Sequence, residues 1–393
     1  VAMVFLPELR VGGMQIFRSE GFDTMGKILP RASEIAARIS VIYLGLTVLC
    51  GLTYAALGMP AFDALMHALT TVSTGGFSNR DASFGTYQGA LEYAAVIFMI
   101  LASLPFVRYI QLVAGSAQPL FRDSQVRAYL ATVAVIVSFL AVWRVVTDAS
   151  PAEPSLREAL FNVTSIISGT GYSSTDYQIW GGVAVVTFFF AGLIGGCAGS
   201  TSCSIKVFRY QLLFASVATQ VRRLYAPHGI FEPRYDGRPV AEEVVSSVMA
   251  FFVLFFVALG VISVLLGLTG LDVVTSVSGA AATLGNIGPG LGDTIGPAGN
   301  YAAVNDTAKW ILSAAMLVGR LELIAVLVLF TAAFWRACAS WIDGLSITIP
   351  HKTALIDQLD GCEDMAERIG AVNTIYRDER GRSIGANTDA DAA

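Results

Sequence analysis

Three times along this chain, a long apolar run is followed by a short semi-apolar segment, a glycine-rich break and another apolar run. The long runs fall at roughly 38–58, 90–114, 127–147, 179–200, 244–267 and 307–335, and each is about long enough to cross hydrocarbon as a helix. The short segments, 61–72, 155–167 and 271–284, are too short to span. They lead into the breaks "STGGFS" at 73–78, "SGTGYS" at 168–173 and "GNIGPG" at 285–290. One such break reads as an ordinary turn between spans. Three in register make an internal repeat. Backbone that is neither helix nor sheet is tolerated at membrane depth only where it is buried in protein or lines a watery cavity, so three equivalent breaks imply a shared axis.

Composition agrees with a bilayer as the solvent. The chain is 54% hydrophobic and 14% charged, where soluble domains carry about 25% charged residues. The net charge of −5 sits in the last stretch: 343–393 holds ten acids and five bases, and 1–342 holds twenty of each. That shift places a boundary near Trp341. No basic stripe points to nucleic acid. Cys50, Cys197, Cys203, Cys338 and Cys362 form no C-x-x-C pair and have no histidine spaced to complete a metal site, so they read as free thiols. Val1 opens inside an apolar run without an initiator Met, so the start is expected to be truncated.

Glycine gives the breaks backbone angles that let successive carbonyls point one way. Rings of such carbonyls replace the hydration shell of a cation. The short helices would aim their negative C-terminal ends at the same point. Each break therefore reads as one wall of an ion filter. The loops away from the breaks carry Arg18, Lys27, Arg31, Arg38, Arg122, Arg127, Lys206, Arg209, Arg222, Arg223, Arg234 and Arg238. The loops beside them carry Asp81, Asp148, Glu153, Glu158, Asp176, Asp293 and Asp306. By the positive-inside rule the breaks face outward and the basic loops face the cytoplasm; an acidic mouth would concentrate cations.

The words "LPELRVGGMQIFRSE", "STGGFSN", "GGCAGSTSCSIKVFR", "GNIGPGLG" and "MLVGRLELIAVLVLF" run through residues 1–336. They resemble the Trk/Ktr/HKT superfamily of potassium transporters, and within it the bacterial Trk membrane subunits. The resemblance implies an all-α integral membrane protein of repeated helix–pore helix–helix units around a central pore, with three of four repeats present. It divides the chain into 1–37, the last helix of a truncated first repeat with a cytoplasmic loop; 38–126, the second repeat; 127–242, the third; and 243–341, the fourth. It places filter backbone at Thr74, Gly75 and Gly76, at Gly169, Thr170 and Gly171, and at Asn286, Ile287 and Gly288. It further implies K+ as the transported ion, a multi-pass protein of the bacterial inner membrane, a homodimer among membrane lipid, and a cytoplasmic nucleotide-binding regulatory subunit.

Two features resemble the family's gate. "GLIGGCAGSTSCS", 192–204, interrupts a long helix with small residues, among them Gly195, Gly196, Gly199 and Ser200; each glycine costs a helix about 0.8–1 kcal/mol relative to alanine. It reads either as a loop across the conduction path or as a close helix-packing seam. Arg320 lies in an apolar span with Glu322 nearby; it reads as a pore charge working with the loop or as half of a structural ion pair. Lys206 and Arg209 are contacts for a regulatory subunit or membrane-end anchors.

Residues 342–393 change character to a short soluble α/β fragment expected in the cytoplasm. "SITIPHK", "GAVNT" and "GANTDA" resemble the substrate-binding domain of shikimate dehydrogenase. The resemblance matches Lys352 and Asp389 to its catalytic pair, and Thr348 and Asn373 to substrate hydrogen-bonding positions. No glycine-rich nucleotide-binding βαβ unit accompanies them, so no NADP site and no active catalytic pair are expected, and the chain is expected not to act as an enzyme. The competing readings are a membrane-anchored dehydrogenase fragment and a non-conducting truncated transporter.

Overall fold

The computed structural model describes residues 32–226, 229, 231–321, 344–346, 359, 361–369, 371–378 and 382–387. The chain divides into two units, Val1–Leu323 and Ile324–Ala393.

The first unit is built from the repeated pattern. In the first described repeat, the long α1 (Ala32–Ala56) packs on the short α2 (Ala61–Val72), the break follows, and α3 (Ala90–Ser103) and α4 (Phe106–Val113) continue. After the short α5 (Gln118–Arg122), the next repeat runs α6 (Ser124–Thr147), α7 (Ala152–Ser168), its break, α8 (Gly182–Ile194) and α9 (Val207–Tyr225). A two-stranded hairpin, β1 (Arg234–Tyr235) and β2 (Arg238–Pro239), precedes the third set: α10 (Glu242–Leu268), α11 (Val273–Leu284), its break and α12 (Asp306–Arg320).

Residues 37–56, α6 and α10 are long and apolar enough to cross a membrane. Their outward faces carry apolar stripes at helical spacing: Val41, Leu44, Val48 and Leu52; Val135, Phe139, Val142 and Val146; Val253, Val257, Val261 and Val264. Side chains every three or four residues lie on one face of a helix. Left in water such faces would cost roughly 25 cal/mol per Å², so their surroundings are hydrocarbon.

The run expected to span 90–114 is instead bent by 95° between α3 and α4. Pro105 removes a backbone donor and disfavours helical angles at the residue before it, and Leu104 is extended at φ −88°, ψ 156°. The run expected at 179–200 ends at Ile194, where Gly195 takes φ 77°.

Neighbouring repeats are tied by buried charge. Arg157 of α7 pairs with the fully buried Glu92 of α3, and with Glu153 at 3.0 Å. Within one repeat, Arg144 of α6 pairs with Glu158 of α7 at 2.7 Å and lies over the Trp180 ring. Breaking a buried pair by removing one partner costs about 3–5 kcal/mol, because the other charge is left uncompensated.

In the second unit the described strands β3 (Gly344–Ser346), β4 (Gly361–Cys362), β5 (Thr374–Arg377) and β6 (Ser383–Ala386) form one sheet in the order β3-β5-β6-β4, with α13 (Asp364–Ile369) beside it. Asn373 is buried before β5, and its N–H donates to Ala386 O at 3.0 Å. Thr348, Lys352 and Asp389 lie outside the described residues, as do Cys338, Trp341 and residues 1–31.

Candidate functional site

The three breaks have one backbone design. Each short helix ends and the chain turns left-handed at the first and third of the three expected wall positions. Those angles are φ 51° at Thr74 and 64° at Gly76, 76° at Gly169 and 82° at Gly171, and 50° at Asn286 and 110° at Gly288. Gly75, Thr170 and Ile287 between them are not left-handed. A β-branched threonine in this region is a backbone outlier of order 1–3 kcal/mol, of the kind that clusters at functional sites.

The N–H groups of the breaks point back to the helices they leave. Gly75 N and Gly76 N donate to Thr70 O at 2.8 and 3.2 Å, Gly171 N to Ser165 O at 3.2 Å, and Ile287 N to Ala282 O at 2.9 Å. With the donors turned away, the acceptors are left over. Among the described residues, the carbonyls of Thr74, Gly75, Gly76, Gly169, Thr170, Gly171, Asn286 and Ile287 accept no hydrogen bond. Gly288 O accepts from the Tyr301 hydroxyl at 2.5 Å. These residues are buried or half-buried except Gly288, and more than 90% of buried backbone carbonyls in proteins are paired. Unpaired carbonyl oxygens are groups that can replace the water around a cation.

The walls stand edge to edge. A β-carbon added to Gly76 would lie 1.7 Å from Thr170 O, and one added to Gly171 would lie 1.6 Å from Ile287 O. One added to Gly288 would meet nothing within 4 Å among the described residues. The first two walls thus present the glycine at their third position to the middle carbonyl of the next, and among the described residues the last wall's edge is open.

Side chains brace the walls from behind. The buried Tyr172 hydroxyl exchanges a hydrogen bond with Thr70 Oγ1 at 2.6 Å and donates to His67 O at 3.1 Å, joining two repeats. Ser173 Oγ donates to Pro297 O at 2.7 Å, reaching the third. At the head of α2, Asp63 accepts from the Tyr87 hydroxyl, the Arg80 guanidinium and the Asn79 amide. Together, in that order of strength, they hold its carboxyl well below the usual carboxylate range.

The small-residue segment between α8 and α9 is a loop and not a helix seam. It lies against the C-terminal ends of the short helices through hydroxyl side chains. Thr201 Oγ1 donates to Val72 O at 3.1 Å, and Thr74 Oγ1 donates to Thr201 O at 2.9 Å. Ser202 Oγ donates to Ser168 O at 2.5 Å, and Ser204 Oγ lies 3.3 Å from Gly285 O. The expected loop residues serve as its frame. Gly196 N donates to Ser202 Oγ at 2.9 Å, Gly199 O accepts from Phe106 N at 3.0 Å, and Ser200 Oγ donates to Cys197 O at 2.7 Å. A β-carbon at Gly195 would meet Cys203 O at 2.5 Å, so the loop closes tightly there.

Arg320 reaches this loop. One guanidinium nitrogen contacts Cys203 Sγ and donates to Thr201 O at 3.4 Å. Glu322, the alternative partner, lies outside the described residues. Arg209 is not a surface contact: it is buried, with its guanidinium over the Phe251 ring at 3.9 Å and Nη1 donating to Ile205 O at 3.3 Å. Apolar α10 packs on α9 there and covers the charge.

The family TrkH, cation transport protein, matches residues 1–337, and the shikimate dehydrogenase substrate binding domain matches residues 319–375. The Trk system potassium uptake protein TrkI of Halomonas elongata is 44% identical over 338 residues, which are 86% of this chain and 68% of that one. The Trk system potassium uptake protein TrkH of Vibrio parahaemolyticus is 35% identical, over 86% of this chain and 70% of that one. The crystal structure of the potassium transporter TrkH from Vibrio parahaemolyticus superposes with a TM-score of 0.74 at 32% identity, covering 79% of this chain and 67% of that chain.

Proposed function

Because the chain belongs to the TrkH family of cation transport proteins, we propose that it takes up potassium ions across the cytoplasmic membrane of a bacterium, through a filter of backbone carbonyls. The observation that carries this reading is the set of eight wall carbonyls without a hydrogen bond among the described residues, from Thr74 to Ile287. K+ would exchange its water for these oxygens, and the negative ends of α2, α7 and α11 favour a cation there. The walls face outward, and the basic loops and the C-terminal unit face the cytoplasm.

The loop 195–204 and Arg320 form the barrier on the inner side. The loop is bonded to the ends of two short helices and lies against the end of the third, and the guanidinium rests against it. The relatives are named as parts of a Trk system. In keeping with that, this chain works as a homodimer with a cytoplasmic nucleotide-binding subunit. The open edge at Gly288 is where a fourth wall would stand. In this reading the C-terminal unit is expected to carry no hydride chemistry, because no glycine-rich nucleotide-binding βαβ unit is read in its sequence.

The test is cation-dependent stability and flux of the purified chain. K+ should raise the melting temperature above that in equal choline, and liposomes holding the protein should pass K+ in preference to Na+. Equal stabilisation by choline and K+ would refute the filter. Stabilisation by K+ without flux would favour the non-conducting reading.

A further inference from the structure

Eight wall carbonyls carry no hydrogen bond among the described residues, but the three just inside them are all met by hydroxyls. Ser73, Ser168 and Gly285 are equivalent residues, each one position before its left-handed Thr74, Gly169 or Asn286. Ser73 O lies 2.7 Å from Thr74 Oγ1, whose single proton it shares with Thr201 O at 2.9 Å. Ser168 O accepts from Ser202 Oγ at 2.5 Å. Gly285 O lies 3.3 Å from Ser204 Oγ, whose nearer acceptor is Gly192 O at 2.8 Å. Two of the three hydroxyls belong to the loop between α8 and α9, and the shorter contact is that of Ser202.

From this juxtaposition, and resting on the filter reading above, we propose that Ser73 O, Ser168 O and Gly285 O form an innermost site for a dehydrated monovalent cation, and that the Ser202 hydroxyl competes with the cation for it. A carbonyl lone pair that holds a hydroxyl proton is not available to a metal ion. Ser202 is 3% exposed, and its hydroxyl oxygen is fixed by the Gly196 N–H. The proton is thereby aimed at Ser168 O, and no water is needed to satisfy the group. Cation occupancy and loop closure then exclude one another. By linkage, whatever the closed loop takes from cation affinity, the cation takes from loop closure by the same factor. An ion arriving at the inner end of the filter loosens the loop that blocks its exit.

Ser202 is a positioning residue in this scheme, and the test reads competition rather than stability. The purified full chain is titrated with KCl against choline chloride at constant ionic strength, and the K+ concentration giving half-maximal rise in melting temperature is recorded. Ser202→Ala removes one neutral hydrogen bond from the competitor, so half-saturation should fall by about fivefold. The reading is the half-saturation point and not the absolute melting temperature. Ser202→Cys keeps the volume with a weaker donor and should move half-saturation in the same direction by less. Ser204→Ala, whose hydroxyl is mostly engaged by Gly192, should move it least. An unchanged or raised half-saturation in Ser202→Ala, with the unaltered chain still preferring K+ to choline, would overturn this inference alone. No K+ preference in the unaltered chain would overturn the filter reading and this inference with it.

Discussion

Alanine at Gly76, Gly171 and Gly288 should give two different outcomes from what looks like one position in a repeat. At Gly76 the new β-carbon would sit 1.7 Å from Thr170 O, and at Gly171 1.6 Å from Ile287 O, whereas a β-carbon does not approach within 3.0 Å of such an atom. Each wall must therefore move from its neighbour by about 1.3 Å or more. That displacement exceeds the difference in radius between Na+ and K+, and the atom displaced is itself a proposed ligand. Left-handed strain adds about 1–2 kcal/mol at φ 64° and 82°. At Gly288 the β-carbon meets nothing among the described residues, so only strain remains, about 1–3 kcal/mol at φ 110°. The assay is the melting temperature of each variant in KCl, NaCl and choline chloride. Gly76→Ala and Gly171→Ala should lose the K+ preference, whereas Gly288→Ala should melt lower and keep it. Full K+ preference in Gly171→Ala, or loss of it in all three alike, would refute the edge-to-edge arrangement.

Three further outcomes follow from other parts of the molecule. Arg320→Ala should raise basal K+ flux in liposomes: two like charges ~6 Å apart at an effective dielectric near 20 repel by roughly 3 kcal/mol, on the order of a hundredfold in rate if this step limits. Lower flux with intact folding would make Arg320 a structural tie of the loop. Asp63→Asn should lower the melting temperature by an amount that is constant above about pH 5. Because the folded carboxyl titrates below its unfolded value of about 3.9, its contribution is present above that value and lost as acid reaches the folded one; a difference that peaks in acid would contradict the assignment. The full chain should show no NADP-dependent oxidation of shikimate, and turnover abolished by Lys352→Ala would reverse the reading of the C-terminal unit.

Three of the expected spans, near 38–58, 127–147 and 244–267, and the short helices were legible because sustained apolar content reports a hydrocarbon environment, whereas 322–335 of the last expected span lies outside the described residues. The expected 61–72 is α2, and 271–284 differs from α11 by two residues at one end. The break at Pro105 was also written in the sequence, but an unbroken apolar count from 90 to 114 concealed it. Composition measures solvent preference and not backbone continuity, so a proline that bends a run by 95° leaves the hydropathy unchanged. The glycines of the walls were legible for a related reason: only their lack of a β-carbon lets two walls meet at the distances found. Thr74 and Asn286 were placed in the walls by the family resemblance, and their left-handed backbone was not foreseen. Nothing in a threonine's local sequence announces that neighbouring walls will hold it at φ 51°.

The loop hydroxyls were the least legible part of the site, and the reason is where their partners lie. Ser202 bonds a residue 34 positions away, Ser204 lies against one 81 away and Thr201 bonds one 129 away. A serine's single proton carries no periodic signal, and "GSTSCS" reads equally well as a packing seam of small residues. The seam reading needs only small volume. The observed arrangement needs hydroxyls at three particular places, because the C-terminal ends of α2, α7 and α11 present carbonyls that no further helical turn satisfies. Small size lets the loop fit beneath the walls, and the hydroxyls let it dock on three helix ends at once. Net bonds of about 0.5–1.5 kcal/mol each can be exchanged for an ion one at a time, whereas a buried apolar plug would have to leave as a unit.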